Sequence, residues 1–190
     1  VIIPDALPEP PSAADTDELF EVVDGQKREV PPMGALAGLL ASVLANRLND
    51  FALPRRLGFA MVEVMFRLGP GGAQRRPDVA FVAFDRWPFT DLPADDPAAF
   101  DAIPNLAVEV ASPTNPGQEI DQKVEEYFQA GVQAVWVVFP VRRRVHVYEG
   151  PDRARILGAA GELDGGAAVP GFRLPIAELF AALMPPPPPG

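Results

Sequence analysis

The chain has 190 residues, 48% of them apolar, with no cysteine and a single histidine, His146. That length and composition suit one folded domain with a sizeable core, and they exclude disulfides, thiolate or histidine-cluster metal sites and cysteine nucleophiles. The net charge of −10 argues against nucleic acid as a partner, because phosphate binding rests on Lys and Arg.

The charge is unevenly spread. Residues 1–30 hold eight acids and two bases, and residues 91–130 hold nine acids and one base, whereas residues 31–90 hold seven bases and four acids. The pairs Arg55-Arg56 and Arg75-Arg76 and the run Arg142-Arg143-Arg144 therefore leave room for an electropositive face, although solvated loop arginines are the simpler reading.

In chain order, residues 1–17 are rich in Pro, Ala and Asp and residues 185–190 read PPPPPG, so both ends are expected to be disordered or polyproline-like around a single domain over 18–184. LFEVVDGQKREV alternates around Asp24-Gly25 and predicts a hairpin with Glu21 on its first strand. From Gly34 to about Asp50, Leu36, Leu39, Leu40, Val43, Leu44 and Leu48 recur at helical spacing, as in a core helix. AMVEVMFRL reads as a strand, and the loop GPGGAQRRP leads into DVAFVAF, a short apolar run typical of a buried strand. GPGGAQ precedes a strand and lacks the Lys-Ser/Thr ending of a phosphate loop.

DRWPFTDLPADDPAAFDAIP carries too much Pro and Asp for regular structure and reads as a surface loop. LAVEVAS is another strand, and SPTNPGQEIDQKVEEYFQAG begins as a turn and becomes a helix that stops at Gly131. VQAVWVVF is a buried strand. VRRRVHVYEG then alternates, placing Val145 and Val147 inward and His146 on the wet face, where it is an ordinary surface residue. A strand-helix-strand unit over about 106–139 among antiparallel strands predicts an α/β (α+β) protein built on a mixed sheet flanked by helices. No apolar run reaches the ~18 to 20 residues that span a bilayer. The start, VIIPDALPEPP, has no signal-peptide pattern, so a cytoplasmic protein with no membrane attachment is expected.

Asp78 and Glu109 are the informative acids, because each sits in an apolar strand-forming run where an ionised carboxylate needs a partner. In LAVEVAS, Leu106, Val108 and Val110 point to one side and Ala107, Glu109 and Ala111 to the other, so small alanines leave space beside Glu109. The two acids are 31 residues apart and can converge only from adjacent strands. With no histidine or thiolate to share, such a pair favours a hard divalent cation, Mg²⁺ with Mn²⁺ as substitute. The plainer alternatives are a turn role for Asp78 and an arginine partner for Glu109.

Lys123 adds a third element. At ~100° per residue, Ala130, Tyr127, Ile120, Val124 and Phe128 form one apolar arc of the helix. Lys123 falls inside that arc, while Asp121, Gln122, Glu125, Glu126 and Gln129 lie opposite. A lysine there either snorkels to the edge or meets buried negative charge, and Glu109 on the preceding strand can supply it. Two acids holding a divalent ion beside a lysine are the apparatus of phosphodiester hydrolysis.

RRPDVAFV, then PNLAVEVASPTNPGQEIDQKVEEYFQAGVQAVWVVFPVRRRVHVY, then VPGFRLPIAELF resemble the Uma-two family of bacterial restriction-endonuclease-like proteins. FEVVDGQ resembles that family's N-terminal hairpin, so the resemblance runs over roughly residues 19–181. It implies a PD-(D/E)xK nuclease core, a mixed sheet flanked by helices, with Pro77-Asp78 as the metal-binding PD and Glu109 as the second acid. Ala111 stands where that superfamily usually has lysine, and Lys123 matches the position on the following helix to which the family's lysine has moved. Glu21 matches a recurrent acid of the hairpin and joins the expected site, whereas Gln122 falls on the polar face.

The resulting expectation is a Mg²⁺-dependent DNA endonuclease. Asp78 and Glu109 would hold metal with the backbone carbonyl of Val110, and Lys123 would position the attacking water. The resemblance also implies a homodimer, as for many nucleases of this superfamily. The rival expectation, motivated by the acidic charge, is a catalytically silent binding or assembly module on the same fold. A weaker third is metal-dependent hydrolysis of a smaller phosphate ester.

Overall fold

The computed structural model describes residues 19–23, 25–69, 73–87, 99–112 and 117–184. The expectations for residues 1–17 and 185–190 lie outside the described residues, as do Asp24 of the hairpin turn and parts of the three loops at 70–72, 88–98 and 113–116. In chain order the elements are β1 (Phe20–Val23), β2 (Gln26–Glu29), α1 (Ala35–Ala52), β3 (Gly58–Val62), β4 (Phe66–Arg67), β5 (Gln74–Arg75) and β6 (Val79–Ala83). There follow β7 (Leu106–Val110), α2 (Gly117–Ala130), β8 (Ala134–Phe139), β9 (Arg144–Gly150), β10 (Arg153–Leu157), β11 (Glu162–Asp164), β12 (Arg173–Pro175) and α3 (Ile176–Ala181).

A six-stranded sheet in the order β10-β9-β8-β7-β6-β3 forms the centre. β7 and β8 run parallel and are joined by α2, while every other neighbouring pair is antiparallel, so the sheet is mixed as the pattern of elements predicts. Its two faces are built by period-two alternation. Leu106, Val108 and Val110 of β7 enter one core with Leu40, Leu44 and Leu48 of α1 and Leu179 of α3. Ala107 faces the other core with Ile120, Val124 and Tyr127 of α2. α2 stops where expected: Gly131 takes φ +98°, a left-handed conformation that costs a residue with a Cβ more than glycine.

Three expectations change in detail. AMVEVMFRL is two strands, not one, because Glu63 adopts φ +52°. At that break the Glu63 N–H donates to the Asp78 carbonyl (3.3 Å), and the Arg76 guanidinium donates to the Glu63 carbonyl (2.7 Å). The chain thus leaves the central sheet at β3 and enters, as β4, a small sheet in the order β2-β1-β5-β4. In α1 the buried stripe begins only at Leu40. Leu36 and Leu39 are exposed, and the residues that the start of the helix turns toward the cavity described below are Gly34 and Ala37. His146 is half-buried, not fully wet, with its ring 4.4 Å from that of Phe139 on the neighbouring strand.

Among the described residues, no helix is long and apolar enough to cross a membrane.

Candidate functional site

The antiparallel register of β6 on β7 pairs Val79 with Val108. Asp78, one residue before β6, and Glu109 are therefore placed side by side at the same end of two central strands. Asp78 reaches across the gap: its Oδ2 accepts the N–H of Val110 (2.5 Å), the residue after Glu109. Glu109 points to the α2 side, where the neighbouring Ala107 and Ala111 are small enough to admit a side chain from the helix.

Lys123 supplies it. On α2, Ile120, Lys123, Val124 and Tyr127 form the buried stripe, so the helix periodicity brings an ammonium and a phenol to the same carboxylate. Lys123 Nζ lies 3.1 Å from Glu109 Oε2, and the Tyr127 hydroxyl donates to Glu109 Oε1 at 2.7 Å. Lys123 Nζ also lies 3.2 Å from Oε1 of Glu21, which β1 brings in from the small sheet. Glu21 accepts the Arg76 backbone N–H (3.1 Å) and pairs with Arg75 Nη1 (2.6 Å), and Arg75 Nε in turn reaches Glu126 of α2 (2.6 Å). Gln122 donates to Glu126 (2.9 Å), so it supports the outer end of this chain of contacts and does not reach the carboxylate pair.

These groups are nearly dry: Glu21 and Arg75 are 2% exposed, and Glu109 and Lys123 8%. Such a network can persist only if its charges answer one another. Burial opposes ionisation of Glu21, but Lys123 and Arg75 outweigh it and hold its carboxyl below the ordinary 4.5. Burial likewise opposes the charge on Lys123, and Glu109 with Glu21 overcomes it, so the ammonium is held charged. The two expected metal ligands differ. Burial, then the charge of Glu109, pushes Asp78 up to about 7 in spite of the Val110 N–H. Burial also raises Glu109, against the pull of Lys123. The pair is therefore short of positive charge.

Asp78, Glu109, Val110, Lys123 and Glu21 all line one cavity of about 320 Å³. Its rim includes Gly34 and Ala37 at the start of α1, and Glu63, Arg76 and Glu119. Among the described residues no group of three or more carboxylate or histidine side chains is arranged to hold a metal. A cation would rest on Asp78 and Glu109, completed by backbone oxygen and water. That donor set fits Mg²⁺, which keeps several waters and takes one or two carboxylates, better than an ion needing a full protein cage. The contact Val110 shows is through its N–H, to Asp78.

Arg75 was missed by the sequence reading, which took Arg75-Arg76 for loop arginines. It is instead the buried link between the hairpin and α2. Nothing local marks it: Gln74, Arg75 and Arg76 are three polar residues in a row beside Pro77, as in a loop. Tyr127 was read as core, and nothing in the helical arc marks its hydroxyl as a partner for Glu109. His146 is away from the acids, on the wall of a neighbouring groove.

A mixed sheet with α2 packed behind its parallel pair, and acids at the ends of two adjacent central strands, is the frame of a nuclease-like α+β fold. The same fold is found in a solved structure titled as a putative nuclease belonging to DUF820 from Anabaena variabilis. The TM-score is 0.77 and the identity 19%, over 89% of this chain and 93% of that one. The family model described as "Uma2: Putative restriction endonuclease" matches residues 5–177, and the chain belongs to that family. No curated protein matches.

Proposed function

We propose that the protein is a Mg²⁺-dependent endonuclease acting on DNA, with Asp78, Glu109 and the Val110 carbonyl holding the cation and Lys123 acting on the reacting phosphate and water. The observation that carries the reading is the position of Lys123. A lysine buried on the apolar side of its helix, bonded to Glu109 and Glu21 in the same cavity as Asp78, has no role in packing that an apolar residue would not serve better. The family description and the nuclease-like fold support the class of reaction, and the word restriction in the family description supports DNA as substrate.

A divalent ion bound by the two carboxylates supplies Lewis-acid polarisation of phosphoryl oxygen and water. The residues of the chain do the rest. Asp78 lines the cavity and is oriented there by the Val110 N–H that its Oδ2 accepts. Glu109 is fixed at both oxygens, by Tyr127 and by Lys123, and cannot swing away from the strand end. Glu21, itself anchored by Arg75, holds Lys123 from the far side, and with Glu109 it keeps the ammonium charged, able to orient a water or offset charge growing on a phosphate.

Supercoiled plasmid with Mg²⁺, Mn²⁺ or EDTA tests the reading. Nicking or linearisation is expected with either metal, none with EDTA, and none from Asp78→Asn or Lys123→Met. Cleavage that survives both substitutions overturns the assignment. A second reading, a binding or assembly module without turnover, draws on the acids Glu63 and Glu119 that share the cavity wall and repel phosphate. Calorimetry that finds metal binding, lost in Glu109→Gln, together with no cleavage of any DNA or RNA, would favour it.

A further inference from the structure

Beside the acidic cavity runs a second depression of about 560 Å³, and the two share Ala111, Ser112 and Ile120 as a common wall. We propose that this groove is a base-binding subsite, which takes an unstacked nucleobase of the nucleic-acid strand whose phosphate lies over Asp78 and Glu109. The inference rests on the nuclease reading and adds to it a class of substrate: strands from which a base can leave the stack.

The chemistry of the walls points to a base. One wall is the α2-side face of β8 and β9, where Phe139, at the end of β8, and His146 and Tyr148, two residues apart on β9, present three rings. Phe139 and His146 already lie 4.4 Å apart, centroid to centroid, and all three rings are only partly covered. Burial, then Arg144 and Arg142, keeps the His146 pKa below its ordinary 6.5, so the imidazole is neutral at pH 7 and offers an uncharged face. The size is that of a small-molecule site, where apolar walls carry a few placed polar groups. Aromatic faces are what unpaired bases stack on, whatever their identity.

The groove also has a direction. At the β8–β9 turn Arg142, Arg143 and Arg144 are all exposed, the densest run of positive charge in a chain of net −10, and Arg142 lines the groove. Val141 at the same tip is 80% exposed. Asp121 of α2 lines the groove as well, and its charge helps burial raise the Tyr148 pKa, so the phenol remains a neutral donor. A phosphodiester is attracted to the arginine tip and repelled by Asp121, whereas a base has hydrogen-bonding partners in Asp121 and Tyr148. A strand entering from the shared wall can thus place its phosphates toward Arg142 and a base against the exposed faces of the rings.

The test uses the full chain with Ca²⁺ replacing Mg²⁺ and a short single-stranded oligonucleotide carrying 2-aminopurine. Binding is expected to quench the fluorescent base. His146→Ala should weaken the complex about 10-fold, the loss of one base stack, and abolish most of the quenching. Arg142→Glu, at an exposed turn where folding is safe, should weaken it by a similar factor and flatten the salt dependence, while Tyr148→Phe should retain the quenching. Plasmid that is cut by a protein showing no quenching, or quenching that survives His146→Ala, overturns the groove and leaves the nuclease reading standing. A dimer that Arg142→Glu dissociates, showing a second copy in the groove, overturns it too. Failure to bind or cut any nucleic acid removes both.

Discussion

The two faces of the central sheet both bury an apolar core, but only one of them also buries a charged network. On β7, Leu106, Val108 and Val110 enter a core in which every buried side chain is apolar, beneath α1 and α3. The alternate residue Glu109 faces α2, where Lys123, Tyr127, Glu21 and Arg75 are buried with it. The first face is held by area removed from water, roughly 25 cal/mol per Å² of apolar surface. The second is held in the same way through Ile120, Val124, Val135 and Val137, and its ion pairs add little to that, since a buried ion pair is often no more stabilising than apolar residues of the same shape. Both faces hold the fold together, and only the α2 face also buries the charged groups proposed for the chemistry.

Substitutions can break the two faces separately. Lys123→Met should have the largest effect, because it strands Glu109 without its cation and leaves Glu21 with Arg75 alone. A loss of about 3–5 kcal/mol in urea denaturation is expected, much of it recovered by the double variant Glu109→Leu with Lys123→Met. Should the double variant be no better than the single one, the charges contribute stability after all. Leu44→Ala on the other face should cost about 2–5 kcal/mol through the cavity it leaves. Its metal affinity by calorimetry should be unchanged at temperatures where it is folded. Tyr127→Phe sits between the two: it keeps the packing but removes the donor to Glu109 Oε1, at a cost of about 1.5–3 kcal/mol for a hydrogen bond to a charged group. If it destabilises the protein without altering metal affinity or cleavage, Tyr127 is structural only.

Part of the apolar face was legible in the sequence, because its instructions there are local: Leu40, Leu44 and Leu48 at helical spacing, Leu106, Val108 and Val110 at strand spacing. Leu163, Phe172, Leu174 and Leu179 of the same core lie in or beside short elements that no periodicity announces. Lys123 was legible from local spacing too, as a charge in an apolar arc. Its neighbours were not. Arg75 meets Glu21 and Glu126, 54 and 51 residues away, and no periodicity in a two-residue strand announces such partners. The break of AMVEVMFRL at Glu63 was hidden likewise, since the residues that hold it, Arg76 and Asp78, belong to a later segment. Local patterns specify which face a side chain occupies. Where segments distant in the chain meet, only the folded structure supplies the pairing.

Acid should separate the faces more gently. Glu21 has a folded pKa below the 4.5 of the free side chain, because Lys123 and Arg75 overcome the burial that opposes its charge. A depressed carboxylate contributes stability that is fully present above the unfolded value and is lost as pH falls through the folded one. Denaturation midpoints should therefore drop below about pH 4.5 more steeply in the wild type than in Glu21→Gln, which has no proton to take up there. Parallel curves for the two proteins would remove Glu21 from the network.

The smallest effect is expected where charges of similar number meet in water. Glu149 pairs with Arg153 (3.0 Å) and Arg155 (3.1 Å) across β9 and β10, and all three side chains are well exposed. Solvent and salt screen such contacts, and ordering three long side chains offsets much of the attraction. Glu149→Gln should change the stability by less than about 1 kcal/mol, with no change in metal affinity. The same substitution chemistry at Glu109 removes the charge that Lys123 answers, so the ratio of the two losses measures what burial alone adds to a carboxylate with two cationic or hydrogen-bonding neighbours. Equal losses at the two sites would mean that water reaches the α2 face as freely as the sheet edge, and the case for Lys123 as a buried participant would fall.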